Sequence, residues 1–237
     1  MANRYWYVII TYIIMQFSGL LFAPLLYLVT PLGEMQATIY WSIFSFIAAL
    51  VVVLFLLRPD MKTTPHRNAA SAGEIVLWSL AGLFMAYFAN YAATMIETYV
   101  LGITPGSQNT QMIMDITRTV PFFVVVTAIV APILEEIVFR KIIFGELYKR
   151  LGFFLSAAIS AFVFGIIHGE PEHILIYASI GFVFAFLYVR TKRIIVPIIA
   201  HMVMNSISVI IQLLLDPEKI EKMMNQLDKM QLILIGG

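Results

Sequence analysis

Residues 120–144 read VPFFVVVTAIVAPILEEIVFRKIIF. The stretch is helix-length, almost wholly apolar, and carries Glu135, Glu136 and Arg140 in its second half. A bilayer-spanning helix needs about 20 mostly apolar residues, so the block predicts a transmembrane helix. A charged side chain at mid-bilayer costs about 2.5–3.5 kcal/mol on insertion scales. Unpaired, these three would cost roughly 8–10 kcal/mol, as much as a typical domain's whole stability. They must pair, face the interior of a helix bundle, or line a wet cavity.

The rest of the chain has the same texture. Its 237 residues are 61% hydrophobic and 12% charged, with a net charge of +1 and no Cys. Soluble domains run near 45–50% apolar and about 25% charged. This composition excludes ordinary solubility, intrinsic disorder and a nucleic-acid-binding surface, and it leaves no thiolate chemistry. Seven blocks have the length of spans: Tyr5–Val29, Ile39–Leu57, Ile75–Ile96, Val120–Phe144, Leu151–His168, Ile174–Val189 and Ile194–Leu215. The first is too long for a signal peptide and is read as an uncleaved span. Transmembrane strands would be about 10 residues with alternating polarity. The expected fold is therefore all-α, a polytopic bundle of about seven transmembrane helices in the cell membrane. Residues 1–215 form one membrane domain with its motif-bearing core at 120–215, and residues 216–237 form an amphipathic tail. Arg58, Lys62, Arg67, Lys141, Lys149, Arg150, Arg190, Lys192 and Arg193 all fall on the side of Arg4. Loops rich in Lys and Arg stay inside, which predicts a cytoplasmic N-terminus and an outside C-terminus.

Within the motif-bearing spans, polar residues gather at helical spacing. Glu136 and Arg140 are four apart and share a helix face. Glu135 points about 100° away from Glu136 and lacks that partner. The fifth span ends Phe164-Gly-Ile-Ile-His168, and the seventh holds His201-Met-Val-Met-Asn205. His201 and Asn205 emerge on one face. Pro132 and Pro197 each remove a helix hydrogen bond near these residues. Ala157, Ala161, Gly165 and Gly169 form a small-residue ridge that permits close helix approach. Taken singly, each His or Asn reads equally well as an interhelical hydrogen bond. Gln16, Asn90 and Glu97 are read as such bonds or as boundary residues.

Glu135-Glu136-x-x-x-Arg140, Phe164-x-x-x-His168 and His201-x-x-x-Asn205 resemble, in order, the three motifs of the CPBP family. That family holds the CAAX prenyl endopeptidases of the Rce1 type and the bacterial Abi membrane proteases. The resemblance covers roughly Val120 to Leu215. It implies intramembrane proteolysis of a membrane-associated peptide. Glu135 with His168 would activate water, and His201 with Asn205 would stabilise the oxyanion. Glu136, Arg140 and Phe164 would support them, and no cofactor would be needed. The family's metalloprotease label offers a rival, a zinc ion held by Glu135, His168 and His201. The chain has no His-Glu-x-x-His to favour it. Two further classes share the buried polar residues: a non-catalytic membrane scaffold or immunity protein, and an ion-coupled transporter. The expected surroundings are a lipid bilayer and a membrane-embedded peptide, with no nucleic acid and no signature of an oligomeric state.

Overall fold

A computed structural model describes residues 1–63 and 68–214. The expected amphipathic tail, 216–237, lies outside the described residues. Among the described residues there are helices and no strands. In chain order they are α1 (Asn3–Val29), α2 (Glu34–Leu56), a single turn α3 (Arg58–Met61), α4 (Ala72–Tyr99) and α5 (Gln108–Thr119). Then come a short α6 (Phe123–Val125), a π-helical turn π1 (Val126–Val130), α7 (Ala131–Glu135) and a longer π segment π2 (Glu136–Phe144). α8 (Gly145–Ile166), a 3-10 turn (Pro171–His173), α9 (Ile174–Thr191) and α10 (Ile195–Leu214) complete the bundle.

Among the described residues, five helices are long and apolar enough to cross a bilayer: α1, α2, α4, α9 with its leading 3-10 turn, and α10. Their outward faces carry exposed Phe and Leu side chains such as Phe17, Leu20, Phe84 and Phe88, as does α8 with Phe154. In lipid such faces need no cover. The all-α membrane bundle is thus present. The two remaining expected spans are less regular than the sequence suggests. Val120–Phe144 alternates α and π turns. Leu151–His168 starts at a break inside α8, where Gly152 adopts φ 72°, a left-handed conformation that only glycine takes without strain.

Packing explains the order of the helices. α1 and α2 pair, and with α7 and π2 they bury Val8, Tyr12, Val53, Leu134, Phe139 and Ile142. α4, α9 and α10 bury a second cluster that includes Ala86, Phe184, Leu187 and Ala200. Gly82 lets α4 approach α9, since a Cβ there would sit 2.3 Å from Leu187 Cδ1. The small-residue ridge on α8 packs as expected through Gly165, while Gly169 lies beyond the helix end at φ 73° with nothing within 4 Å of a Cβ. Ala161 meets Gly181 of α9, and Gly165 lies against Ile174. The ridge therefore brings the end of α8, and His168 beyond it, against the start of α9.

Candidate active site

α7 and π2 belong to the first cluster and meet α10 and α9, respectively, of the second. Pro132 has no N–H to give. In π1 the N–H of Ala131 reaches back to the carbonyl of Val126, so the same register would have Pro132 reach Thr127. That carbonyl is instead taken by Asn205, whose Nδ2 donates to Thr127 O at 3.1 Å. In π2, the carbonyl of Phe139 accepts the Ser160 hydroxyl at 2.7 Å. π turns often mark functional sites, and here they flank both glutamates.

His201 joins those glutamates. Its Nδ1–H donates to Glu136 Oε1 at 2.9 Å, and its Nε2 faces Glu135 Oε2 at 3.7 Å. The other oxygen of Glu136 lies 3.2 Å from Arg140 Nε. The N–H is poorly aligned with that oxygen, so the contact is an ion pair rather than a good hydrogen bond. Glu136 and Arg140 are almost wholly buried, at 0% and 1% exposure. Neither terminal nitrogen of the guanidinium finds a hydrogen-bond acceptor among the described residues. Aromatic faces cover it instead, Phe164 at 4.3 Å and Phe184 at 5.4 Å. Phe184 also stacks on His201, with centroids 5.0 Å apart. Such faces attract a desolvated cation by up to about 2 kcal/mol.

Glu135 differs from its neighbour. Its carboxylate is 14% exposed and lines a cavity of about 650 Å³ together with His168, His201 and Asn205. The four residues expected to act are thus brought to one cavity, which is where the elements α7, α8 and α10 converge. His168 gives its Nδ1–H to the carbonyl of Phe164 at 2.7 Å. In a neutral ring Nε2 is then an acceptor. Phe164 meets His168 edge-on at 4.5 Å and Arg140 face-on, so it supports both.

Two features were not legible beforehand. Glu136 was expected to hold Arg140 alone, yet it also fixes His201. Tyr177 and Phe184 flank the two histidines, His168 and His201, and nothing in the sequence singles them out among 18 Phe and 11 Tyr. Glu97 was read as an interhelical hydrogen bond or a boundary residue, and it makes the bond. It is buried and accepts Nδ1–H of His173 at 2.7 Å and the backbone N–H of Ile176 at 3.3 Å. Gln16 and Asn90 line the cavity.

The zinc alternative needs Glu135, His168 and His201 to converge on one point. Among the described residues no three His, Asp or Glu side chains are grouped closely enough to hold an ion as placed, while the Nδ1–H bonds of His201 to Glu136 and of His168 to Phe164 O leave Nε2 of each ring open, as in metal-bound histidines.

Residues 117–207 match the family model described as type II CAAX prenyl endopeptidase Rce1-like. A Bacillus subtilis protein named "Putative membrane peptidase YdiL" is 46% identical over the whole of this chain and 99% of its own length. The membrane-embedded CAAX protease MroQ of Staphylococcus aureus is 33% identical over 92% of each chain. No solved structure matches. With its five apolar helices and its glutamate–histidine cavity, the chain belongs to the Rce1-like CAAX family of membrane proteases.

Proposed function

We propose that this chain is an intramembrane endopeptidase in which Glu135 and His168 activate water while His201 and Asn205 stabilise the oxyanion. The observation that carries the reading is the contrast between the two adjacent glutamates. Glu136 is sealed between Arg140 and His201. Glu135 has no hydrogen-bond partner this close, with His201 Nε2 at 3.7 Å, and it faces the cavity. A carboxylate and the bare Nε2 of His168 both accept, so together they can hold both hydrogens of one water.

The steps follow from the donors and acceptors present. Water oxygen attacks the peptide carbonyl carbon, forming a C–O bond as its proton passes to Glu135. Both ring nitrogens of His201 face carboxylate oxygens, which only accept. To donate to the oxyanion while Nδ1–H stays on Glu136, the ring must carry hydrogen on Nε2 as well, and the proposed role requires that form in the transition state. Its Nε2–H can then turn from Glu135 to the oxyanion. Asn205 spends one amide hydrogen on Thr127 and has a second to offer. The C–N bond then breaks as Glu135 passes its proton to the leaving amine. A positioned base supplies about 10²–10⁴-fold, and one oxyanion donor about 2.7–4 kcal/mol.

The cavity wall carries Thr38, Ser42, Thr94 and Asn109 beside apolar side chains. That mixture suits a membrane-embedded peptide that brings its backbone amides with it. The Lys and Arg asymmetry orients the chain with its N-terminus in the cytoplasm. The test is to incubate vesicles containing the full-length protein with a mixture of internally quenched peptides bearing apolar flanks, and to map new N-termini by mass spectrometry. The wild type should create them and Glu135→Gln should not. A wild type that creates none while binding the peptides would favour the scaffold reading.

A further inference from the structure

A second polar cluster sits at the rim of the same cavity. Glu170, between α8 and the 3-10 turn, is nearly buried. Its Oε1 accepts the backbone N–H of Asn109 at 2.9 Å. Its Oε2 accepts Ser107 Oγ at 2.9 Å and the hydroxyl of Tyr177 at 2.5 Å. Ser107 is itself the N-cap of α5 and accepts the N–H of Thr110. Burial works against the charge on Glu170, but the hydrogen bonds from Tyr177, Asn109 and Ser107 outweigh it and hold its carboxyl below the ordinary value. The carboxylate therefore stays charged beside the positive end of α5, a favourable placement. α5 supplies Thr110, Met112, Ile113, Met114 and Ile116 to the cavity wall. Glu170 is what pins the start of that wall to α9.

Tyr177 carries the connection inward. It lies in the first turn of α9, and its ring stacks on His168 with centroids 4.2 Å apart and planes at 26°. Phe164 closes on His168 edge-on. The bond from Nδ1 to Phe164 O leaves the tilt of the imidazole to be set by its neighbours, and Tyr177 is the stacked one. The tyrosine hydroxyl in turn is anchored on Glu170. One continuous path runs from α5 through Glu170 and Tyr177 to the histidine on the cavity wall.

We propose that Tyr177 is a positioning residue for His168, and that Glu170 makes this positioning depend on the seating of α5 at the cavity rim. The inference rests on the peptidase reading and deepens it. With α5 seated, the tyrosine plane is fixed and His168 Nε2 is aimed. With α5 displaced, Glu170 loses Ser107 and Asn109, and the tyrosine loses its fixed anchor. Alignment of the water-holding groups is thereby tied to closure of the wall around the peptide.

The test uses the full-length protein in phosphatidylethanolamine–phosphatidylglycerol vesicles, cleaving an internally quenched peptide with apolar flanks. A misplacement near 1 Å costs up to about 100-fold in rate. Tyr177→Leu should lower kcat by about 10–100-fold and leave KM within about threefold. Tyr177→Phe keeps the ring and should recover most of that loss. Glu170→Gln should slow kcat to a similar degree as Tyr177→Phe, and the double variant should be no slower than the slower single, because both cut one link. The chain has no Cys, so Met112→Cys carrying a fluorophore reports α5 alone, and Glu170→Gln should lower its anisotropy. Wild-type kcat in Tyr177→Leu, equal losses in the Leu and Phe variants, or multiplicative losses in the double would each overturn the proposal. Should Tyr177→Leu fail to fold, Tyr177→Phe, Glu170→Gln and their double decide it. Unchanged anisotropy in Glu170→Gln would overturn the link to α5, whatever the activity. Cleavage that survives Glu135→Gln would sink the peptidase reading; a silent Glu135→Gln beside a fully active Tyr177→Leu would sink this inference alone.

Discussion

Removing Arg140 should damage the fold far more than removing Glu135, although the two are five residues apart in one segment. Arg140 is 1% exposed and lies 3.2 Å from a carboxylate that is itself 0% exposed. Arg140→Ala leaves Glu136 with His201 alone and empties the space between Phe164 and Phe184. Breaking a buried pair from one side costs about 3–5 kcal/mol. The lost cation–π contacts are worth up to about 2 kcal/mol more if nothing relaxes, though such contributions overlap. A total near 4 kcal/mol is a large part of a domain's stability of about 5–15 kcal/mol. Glu135→Ala breaks no short contact, since its near neighbour is 3.7 Å away, and should cost under about 1 kcal/mol. Arg140→Lys should fall between them, because an ammonium restores charge without the planar face that lies between two rings. Thermal unfolding of the purified variants in one detergent, followed by circular dichroism, measures the ranking. For a chain of this size about 4 kcal/mol corresponds to roughly 8–16 °C. Equal midpoints for Arg140→Ala and Glu135→Ala would refute the division between a structural and a chemical glutamate.

Other outcomes follow from single contacts. Asn205→Ala should slow cleavage by about 100-fold or more with KM little changed, because an oxyanion donor acts mainly in the transition state; a rise in KM at constant kcat would contradict that role. Asp60 accepts hydrogen bonds from Arg4 and Tyr5 at 2.7 Å and pairs with Lys141 at 3.1 Å. Burial alone would raise its carboxyl, but the bonds from Tyr5, Lys141 and Arg4 hold it below its ordinary value. A depressed carboxylate contributes fully above its unfolded value of about 3.9 and is lost as pH falls through the lower folded value. The melting gap between wild type and Asp60→Asn should therefore be present at neutral pH and close below about pH 4; a gap independent of pH would contradict this. Reporter fusions at Asn68 and Gln226 should read inside and outside respectively, and the reverse would overturn the orientation.

The sequence reached furthest where chemistry is forced by the membrane. Glu135, Glu136 and Arg140 stand out because no charge belongs in an apolar block without a reason, and the spacing of four already paired Glu136 with Arg140. His168, His201 and Asn205 could be placed on faces, and the structure brings all three to the cavity of Glu135. The path of the backbone between them was hidden. Pro132 signals a missing hydrogen bond, but not that Asn205 would take the freed Thr127 carbonyl or that the register would shift to π. The role of Glu136 in holding His201 depends on how α10 meets α7, a tertiary contact without a local sequence signal. The same holds for Tyr177 and Phe184, which resemble every other lipid-facing aromatic until neighbouring helices are in place. The span starting at Leu151 gave no sign that Gly152 would break α8 internally.

The most direct test of water activation by Glu135 is the single-turnover rate of peptide cleavage after exhaustive treatment with a strong chelator, with Glu135→Gln measured in parallel. The account predicts an unchanged rate for the treated wild type and a loss of at least about 100-fold for Glu135→Gln. Activity that disappears on chelation and returns with zinc would contradict it, and would make His168 and His201 ligands rather than partners of the attacked peptide.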